Sequence, residues 1–284
     1  MSKIQLIYDN SASWEKDYIG ELFSNINYNI VYLDDFNLIN DNMTDNILVF
    51  SSNTYSFKSI LNIVLRIKPF IIVHLSDEWG NRPEYTYLAQ HTKLLLHQHH
   101  FDHYPYGYFN NIYQIPLGYM TNMFNKKYGL DYNKKTLLER KYIWSFIGNI
   151  KQDRQEIINK FSNKFDKKFI GNNMSPSEMA DIYNDTIFVP NGKGNIVIDC
   201  FRIYEAILTG CIPIIVCDKK EFNERFYYNN DYPPFIYEET WTDAVNKCDY
   251  LLNNTEELKN IALTNHKWLQ SKINHIKSLI GLAI

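Results

Sequence analysis

Residues 188–216 read FVPNGKGNIVIDCFRIYEAILTGCIPIIV, and their apolar runs and glycines predict a strand, a loop, a helix and a second strand. The loop contains Gly192 and Gly194, which let a backbone approach a ligand closely. The helix, predicted over Val197–Leu208, points its free N–H groups and positive dipole end at that loop. Gly210 is placed to end the helix. The pattern indicates a parallel α/β unit whose helix N-terminus suits an anion.

The same helix carries side chains that suit a nucleotide. Arg202 and Glu205 are three residues apart and therefore share a helix face. An arginine can bind phosphate oxygens through two hydrogen bonds, and a glutamate can accept hydrogen bonds from a ribose diol. Asp199 lies one turn nearer the loop. Taken alone, these residues also fit a structural turn with a solvated Arg–Glu pair, and that alternative stays open.

The alternation of strands and helices extends along the whole chain of 284 residues. Pro69–Leu75 is a continuous apolar run, which is typical of a parallel strand buried on both faces. Repeated βα units predict an α/β fold with two Rossmann-like domains, each built on a parallel sheet. We predict an N-terminal domain over 1–138 and a C-terminal domain over 139–265. A final helix, at about 266–284, is expected to pack back on the first domain.

Composition argues against several classes of protein. The net charge is −3 and no block of Lys or Arg stands out, so a nucleic-acid partner is not expected. No run approaches the roughly 18 apolar residues of a membrane span, and the N-terminus lacks the apolar core of a signal peptide. The four cysteines form no CxxC pair, which favours free thiols in a reducing compartment. We therefore expect a soluble, cytoplasmic protein without a membrane anchor.

Three sets of motifs resemble exostosin-like glycosyltransferases, the GT47 family. The first is the P-x-G loop, the R-x-x-E-A helix and the G-C-I-P turn within residues 188–216. The second is WSFIGN at residues 144–149, followed by Arg154. The third is HLSDE at residues 74–78 with IPLGY at 115–119, which resembles a subgroup of animal and viral xylosyltransferase-like proteins. The loop after Pro190 is longer than is usual in the family.

The resemblance implies a GT-B architecture, with two domains facing each other across a cleft. It also implies an inverting transfer of a sugar, with xylose the first choice, from a UDP-sugar to a hydroxyl of a glycan. Arg202 and Arg154 are assigned to the diphosphate and Glu205 to the ribose, and a divalent metal such as Mn²⁺ is not obligatory. The donor-binding residues predicted in this way are Arg154, Asn191, Gly192, Lys193, Gly194, Asp199, Arg202 and Glu205.

An inverting reaction needs a base on the acceptor side. Asp77 and Glu78 follow the Pro69–Leu75 strand directly, and Glu78 is preferred; the alternative is that they cap a helix. Further acceptor-side residues are predicted at His74, His103 and Tyr119. The histidines near residue 100 have no standard metal-ligand spacing, so no metal site is predicted.

Other functions stay open at this stage. The chief alternative is a non-catalytic protein of the same fold that binds a nucleotide-sugar or a glycan. A retaining transferase of the E-x7-E type is disfavoured because Val197 stands eight residues before Glu205. A dehydrogenase is disfavoured because neither half contains G-x-G-x-x-G.

Overall fold

The computed structural model describes residues 4–38, 46–125, 127–151 and 153–284, without the side chains of residues 36–38. The chain divides into two compact units. The first comprises residues 1–116, 227–231 and 272–284, and the second comprises residues 117–226 and 232–271.

The first unit is built on a six-stranded parallel sheet. The strands are β1 (Ile4–Tyr8), β2 (Tyr28–Tyr32), β3 (Asn46–Ser51), β4 (Ile71–Leu75), β5 (Leu94–His97) and β6 (Ile112–Gln114), and the helices are α1 (Lys16–Leu22) and α2 (Phe57–Ile67). The strands have the order β2-β1-β3-β4-β5-β6 in the sheet. Strands β1, β3 and β4 are buried along their whole length, as their apolar sequences predict.

Helix α2 shows how local sequence positions this layer. Ser56 caps its N-terminus by accepting a hydrogen bond from the Ser59 amide at 3.2 Å, and Lys68 ends it in the left-handed conformation. The buried side chains of the helix are Ile60, Val64 and Ile67, which recur at helical spacing. They pack in one apolar core with side chains of strands β3 and β4, and this burial holds the sheet from one face.

The second unit is built on a five-stranded parallel sheet. The strands are β7 (Tyr142–Ile147), β8 (Lys168–Gly171), β9 (Thr186–Asn191), β10 (Ile212–Val216) and β11 (Ile236–Glu238), and the helices are α3 (Arg154–Lys164), α4 (Pro176–Asn184), α5 (Phe201–Leu208), α6 (Lys219–Arg225), α7 (Trp241–Asn253) and α8 (Thr255–Ala283). The strands have the order β11-β10-β9-β7-β8 in the sheet. The core of this unit contains aromatic and aliphatic side chains from the strands and from helices α3, α7 and α8.

A buried arginine ties several segments of the second unit together. Arg140 donates hydrogen bonds to the backbone carbonyls of Lys135, Tyr183, Thr186 and Thr209, at 2.7–3.3 Å. These carbonyls belong to the segment that precedes β7, to the turn from α4 to β9 and to the end of α5. Because buried carbonyls need hydrogen-bond donors, the single guanidinium stabilises three connections at once.

The predicted alternation of parallel strands and helices is confirmed, and some of the predicted bounds differ from those observed. Helix α5 begins at Phe201 and not at Val197, because the Val197 and Ile198 carbonyls accept hydrogen bonds from Gly194 and Asn191 in the loop instead of from a helical turn. The predicted helix start at Gln152 lies outside the described residues, and α3 begins at Arg154.

Residues 117–138, which the sequence places in the first domain, group with the second unit. Gly129 packs closely within this unit, since a Cβ there would lie 2.7 Å from Leu208 and 2.9 Å from the ring of Tyr119. The last residues of α8, from Lys272 onwards, group with the first unit.

Candidate functional site

Two arginine side chains of the second unit converge on one glycine. Gly148 follows β7 and has φ = 140°, a conformation that L-residues rarely adopt. A Cβ at this position would lie 3.1 Å from Nη2 of Arg202 and 3.9 Å from Nη1 of Arg154. The absence of a side chain at Gly148 therefore leaves room for both guanidinium groups at the carboxyl end of β7.

Arg154 is held by the loops that follow β7 and β9. It is the first residue of α3, it is buried, and it donates to the carbonyls of Asn149 at 2.8 Å and Lys193 at 2.7 Å. Gly192 lies against it, since a Cβ at Gly192 would be 2.9 Å from Cγ of Arg154. The predicted glycine is thus needed because the arginine passes over the backbone of the loop.

Arg202 reaches the same place from α5. It donates to the Ile147 carbonyl at 3.2 Å and to Oδ1 of Asn191 at 3.4 Å, and its guanidinium lies 5.2 Å from the ring centroid of Phe146. These hydrogen-bond acceptors carry no charge, and the buried carboxylate of Glu205 also acts electrostatically on Arg202. Two positive charges so close repel each other, and a bound anion would turn that repulsion into attraction.

The remaining predicted donor-binding residues have contacts of their own. Glu205 is buried on α5, accepts a hydrogen bond from the Met120 amide at 3.2 Å, and has its pKa raised by burial to about 7. Asp199 is buried and accepts from the Tyr204 hydroxyl at 2.7 Å. The Lys193 side chain forms an ion pair with Glu221 at 3.6 Å. Gly194 donates its amide to the Val197 carbonyl and closes the loop.

In the first unit, Asp77 follows β4 and is almost completely buried. The Tyr104 hydroxyl donates to its Oδ2, and the same hydroxyl accepts from the Arg82 amide at 2.8 Å. Within the described residues, Oδ1 of Asp77 has no hydrogen-bond partner. Burial raises the pKa of Asp77 to about 6, against the opposing effects of the Tyr104 hydrogen bond and the Arg82 charge. The carboxylate is therefore oriented by one oxygen while the other keeps its capacity to accept a proton.

A second set of buried contacts holds the backbone just before Asp77. Ser76 has φ = 71° and donates its amide to Oε1 of Gln98 at 3.1 Å. Gln98 in turn donates through Nε2 to Glu15, which also accepts from the Trp14 indole at 2.9 Å. Glu15 is fully buried and burial raises its pKa to about 8, so it carries a proton at neutral pH. Gln98 and Glu15 were not singled out by sequence, because they are 83 residues apart and only the sheet brings them together.

The predicted acceptor-side residues occupy three different environments. His74 is buried in β4 and stacks on the rings of Phe50 and Tyr85, with centroids 5.0 and 4.8 Å away, and burial lowers its pKa to about 3. His103 is exposed, and its Nε2 lies 2.8 Å from the Gly80 carbonyl. Tyr119 is completely buried in the second unit, where its hydroxyl accepts from the Gly129 amide. His74 and Tyr119 are therefore core side chains.

Glu78 is partly exposed, in contrast with its neighbour Asp77. Among the described residues, no group of three or more His, Cys, Asp or Glu side chains could hold a metal ion. No helix in the described part of the chain has the length and apolar content needed to cross a bilayer. All four cysteines are free thiols.

No protein-family model and no curated protein matches the sequence. Solved structures match over almost the whole chain. One is an α-glucosyltransferase in complex with UDP and DNA containing an HMU base, with a TM-score of 0.62 and 9% identity over 99% of this chain and 100% of that one. Another is HepE of Anabaena in complex with UDP and glucose, with a TM-score of 0.56 and 8% identity over 98% of both chains.

A third similar structure is a DNA-modifying β-glucosyltransferase, solved with and without uridine diphosphoglucose. It has a TM-score of 0.53 and 12% identity over 99% of this chain and 98% of that one. At such low identity the likeness establishes the fold, and the predicted GT-B architecture is confirmed. None of these three structures is an exostosin-like protein, so the resemblance to that family stays a prediction.

Proposed function

We propose that the protein is a glycosyltransferase that uses a UDP-sugar as donor. The observation that carries the proposal is the convergence of Arg154 and Arg202 at Gly148, beside a glycine-containing loop and near the start of α5. This arrangement suits a diphosphate, whose negative charge grows as the bond to the sugar breaks. The three structures described above also contain or use UDP or a UDP-sugar, which supports the same donor class.

In the proposed reaction, an acceptor hydroxyl oxygen attacks the anomeric carbon of the donor. The bond from that carbon to the phosphate oxygen breaks, and its electron pair leaves with UDP. Arg154 and Arg202 stabilise the charge on the leaving diphosphate, and Glu205 accepts hydrogen bonds from the ribose. The hydroxyl proton passes to a carboxylate base, for which Asp77 and Glu78 are the candidates, and the configuration of the sugar is inverted.

Between the two candidate bases, the contacts favour Asp77. Its carboxylate is oriented by Tyr104, and its pKa of about 6 lies close to neutral pH, where general bases work efficiently. Glu78, which the sequence preferred, remains the alternative. Asp77→Asn and Glu78→Gln variants distinguish them, because only the loss of the base removes turnover while leaving UDP binding intact.

The donor sugar and the acceptor form the finer part of the proposal. Xylose follows from the resemblance to xylosyltransferase-like proteins, whereas glucose accompanies UDP in the HepE complex. We propose a glycan hydroxyl as the acceptor, because the chain carries a net charge of −3 and no block of basic residues. UDP-xylose and UDP-glucose are therefore the first two donors to compare.

Thermal unfolding with UDP, GDP and CMP tests the donor site. A ligand at about 100 times its Kd stabilises the folded state by about 2.7 kcal/mol, which corresponds to a rise in Tm of roughly 5–10 °C. We expect this rise with UDP, its loss in Arg202→Ala, and its retention in the control Arg66→Ala, which removes an exposed arginine of α2. If no nucleotide raises the Tm, the proposal is wrong. Binding of UDP without release of UDP from any UDP-sugar would favour the non-catalytic alternative.

A further inference from the structure

The turn that carries Asp77 also presents an exposed tryptophan. Trp79 is 58% exposed, and it is the one exposed side chain among the five tryptophans of the chain. Trp144 and Trp241, by contrast, lie in the core of the second unit. The exposed ring is a large apolar surface in contact with water, and it lies two residues from a candidate base. We therefore expect a ligand to cover the ring during function.

The backbone of this turn is fixed. Gly80 has φ = 62° and packs so closely on the ring of Phe101 that a Cβ would overlap it. The Gly80 amide donates to the Asp77 carbonyl at 3.3 Å, and His103 contacts the Gly80 carbonyl. Because both ends of the turn are held, Trp79 loses little backbone freedom when a ligand packs on it, which favours binding.

The surrounding charges indicate which class of ligand fits. The carboxylates of Asp77, Glu78 and Glu84 are close in sequence to the ring, and Glu84 acts electrostatically on Asp77. Arg82 and His103 also act electrostatically on Asp77. Both are engaged, Arg82 with the Ser52 carbonyl and His103 with the Gly80 carbonyl. A phosphodiester backbone is bound by Lys or Arg side chains, so the carboxylates at this turn disfavour it. A neutral sugar instead offers C–H groups to the flat face of the ring and hydroxyls to the carboxylates.

We propose that Trp79 forms an acceptor subsite on which a sugar ring of a neutral glycan packs, with the reacting hydroxyl directed toward Asp77. This inference rests on the proposed glycosyltransferase activity and names the acceptor class for it. The proposal also gives His103 a structural role, since the His103 ring contacts the carbonyl of Gly80 in the turn that carries Trp79.

The test measures binding to an array of defined neutral oligosaccharides, including glucose-, galactose- and xylose-terminated chains, in the absence of UDP. We expect the wild type to bind at least one of them and Trp79→Ala to weaken that binding about tenfold. Trp79→Phe, which keeps an aromatic face, should stay within about threefold of the wild type. Tyr108→Ala is the matched control, because Tyr108 is a second aromatic of the first unit and is 80% exposed; it should bind like the wild type.

The subsite is overturned by equal binding of the wild type and Trp79→Ala, or by no binding to any array member. Transfer of sugar to duplex DNA carrying hydroxymethylated bases, without transfer to glycans, would also overturn it. The UDP-induced rise in Tm is measured for every variant in parallel. Its absence in the wild type refutes the proposed donor site, whereas its presence in Trp79→Ala shows that lost glycan binding comes from the ring.

Discussion

Replacing Gly148 by alanine perturbs the candidate site without removing any of its charges. The added Cβ would lie 3.1 Å from Nη2 of Arg202, which is closer than ordinary van der Waals contact, so the guanidinium has to move. The backbone would also keep an L-residue at φ = 140°. The variant therefore combines local strain with displacement of one of the two arginines.

The size of each effect follows from these contacts. Holding a non-glycine residue in such a conformation costs about 1–3 kcal/mol, which lowers the Tm of a chain of this size by roughly 2–12 °C. Displacing Arg202 weakens a charge-assisted hydrogen bond to the diphosphate, worth about 1.5–3 kcal/mol. Complete loss of that bond would raise the Kd for UDP roughly ten- to hundredfold. Because the guanidinium has to shift by only a few tenths of an ångström, we expect a partial loss and a rise of roughly three- to tenfold.

Calorimetric titration with UDP and thermal unfolding without ligand measure the two effects separately. Gly107→Ala is the matched control, since a Cβ there meets no atom within 4 Å and the residue is not in the left-handed region. The control should change neither quantity appreciably. If Gly148→Ala binds UDP as tightly as the wild type, the diphosphate does not lie against Arg202 and the assignment of the site is refuted.

Three further variants test other parts of the structure. Tyr104→Phe removes a hydrogen bond that favours the charged form of Asp77, so the pKa of Asp77 should rise above about 6 and the acidic limb of kcat/KM should move to higher pH. Folding raises the pKa of Glu15 from 4.5 to about 8, so between about pH 5 and pH 8 the folded state keeps a proton that the unfolded state loses. The free energy of unfolding of the wild type should therefore fall as the pH rises through that interval. Glu15→Gln should flatten this fall, as measured by urea unfolding. Arg140→Met should lower the free energy of unfolding by about 3 kcal/mol or more, because buried carbonyls lose their hydrogen-bond donor. The neighbouring Lys141 is exposed, so Lys141→Met should change the free energy of unfolding by at most about 0.5 kcal/mol.

Each of these variants has a contradicting result. An unchanged acidic limb in Tyr104→Phe, with normal UDP binding, would argue that Asp77 does not act as the base. A pH dependence of stability in Glu15→Gln identical to that of the wild type would show that Glu15 is not buried with its proton. Equal unfolding free energies for Arg140→Met and Lys141→Met would mean that water replaces the guanidinium at the carbonyls.

The sequence by itself determined the fold class and most of the element order. Strands β1, β7 and β10 have the bounds that their apolar runs predict, because a strand buried on both faces leaves a local signature that needs no knowledge of its neighbours. The presence of Arg202 and Glu205 on one helix is local in the same sense. The short strand β11 (Ile236–Glu238) and helix α6 escaped prediction, since three and seven residues carry too little periodic pattern.

Only the tertiary structure decided how the candidate site is assembled. The start of α5 at Phe201 depends on carbonyls captured by the loop after β9, and the meeting of Arg154 with Arg202 depends on an unusual φ at Gly148. The environment of Asp77 likewise depends on Tyr104, which is 27 residues away. Parallel sheets bring the ends of strands together irrespective of their separation along the chain, so contacts at those ends leave no local pattern. Which side chains share a site is therefore a property of the sheet order, and the residue types alone do not contain it.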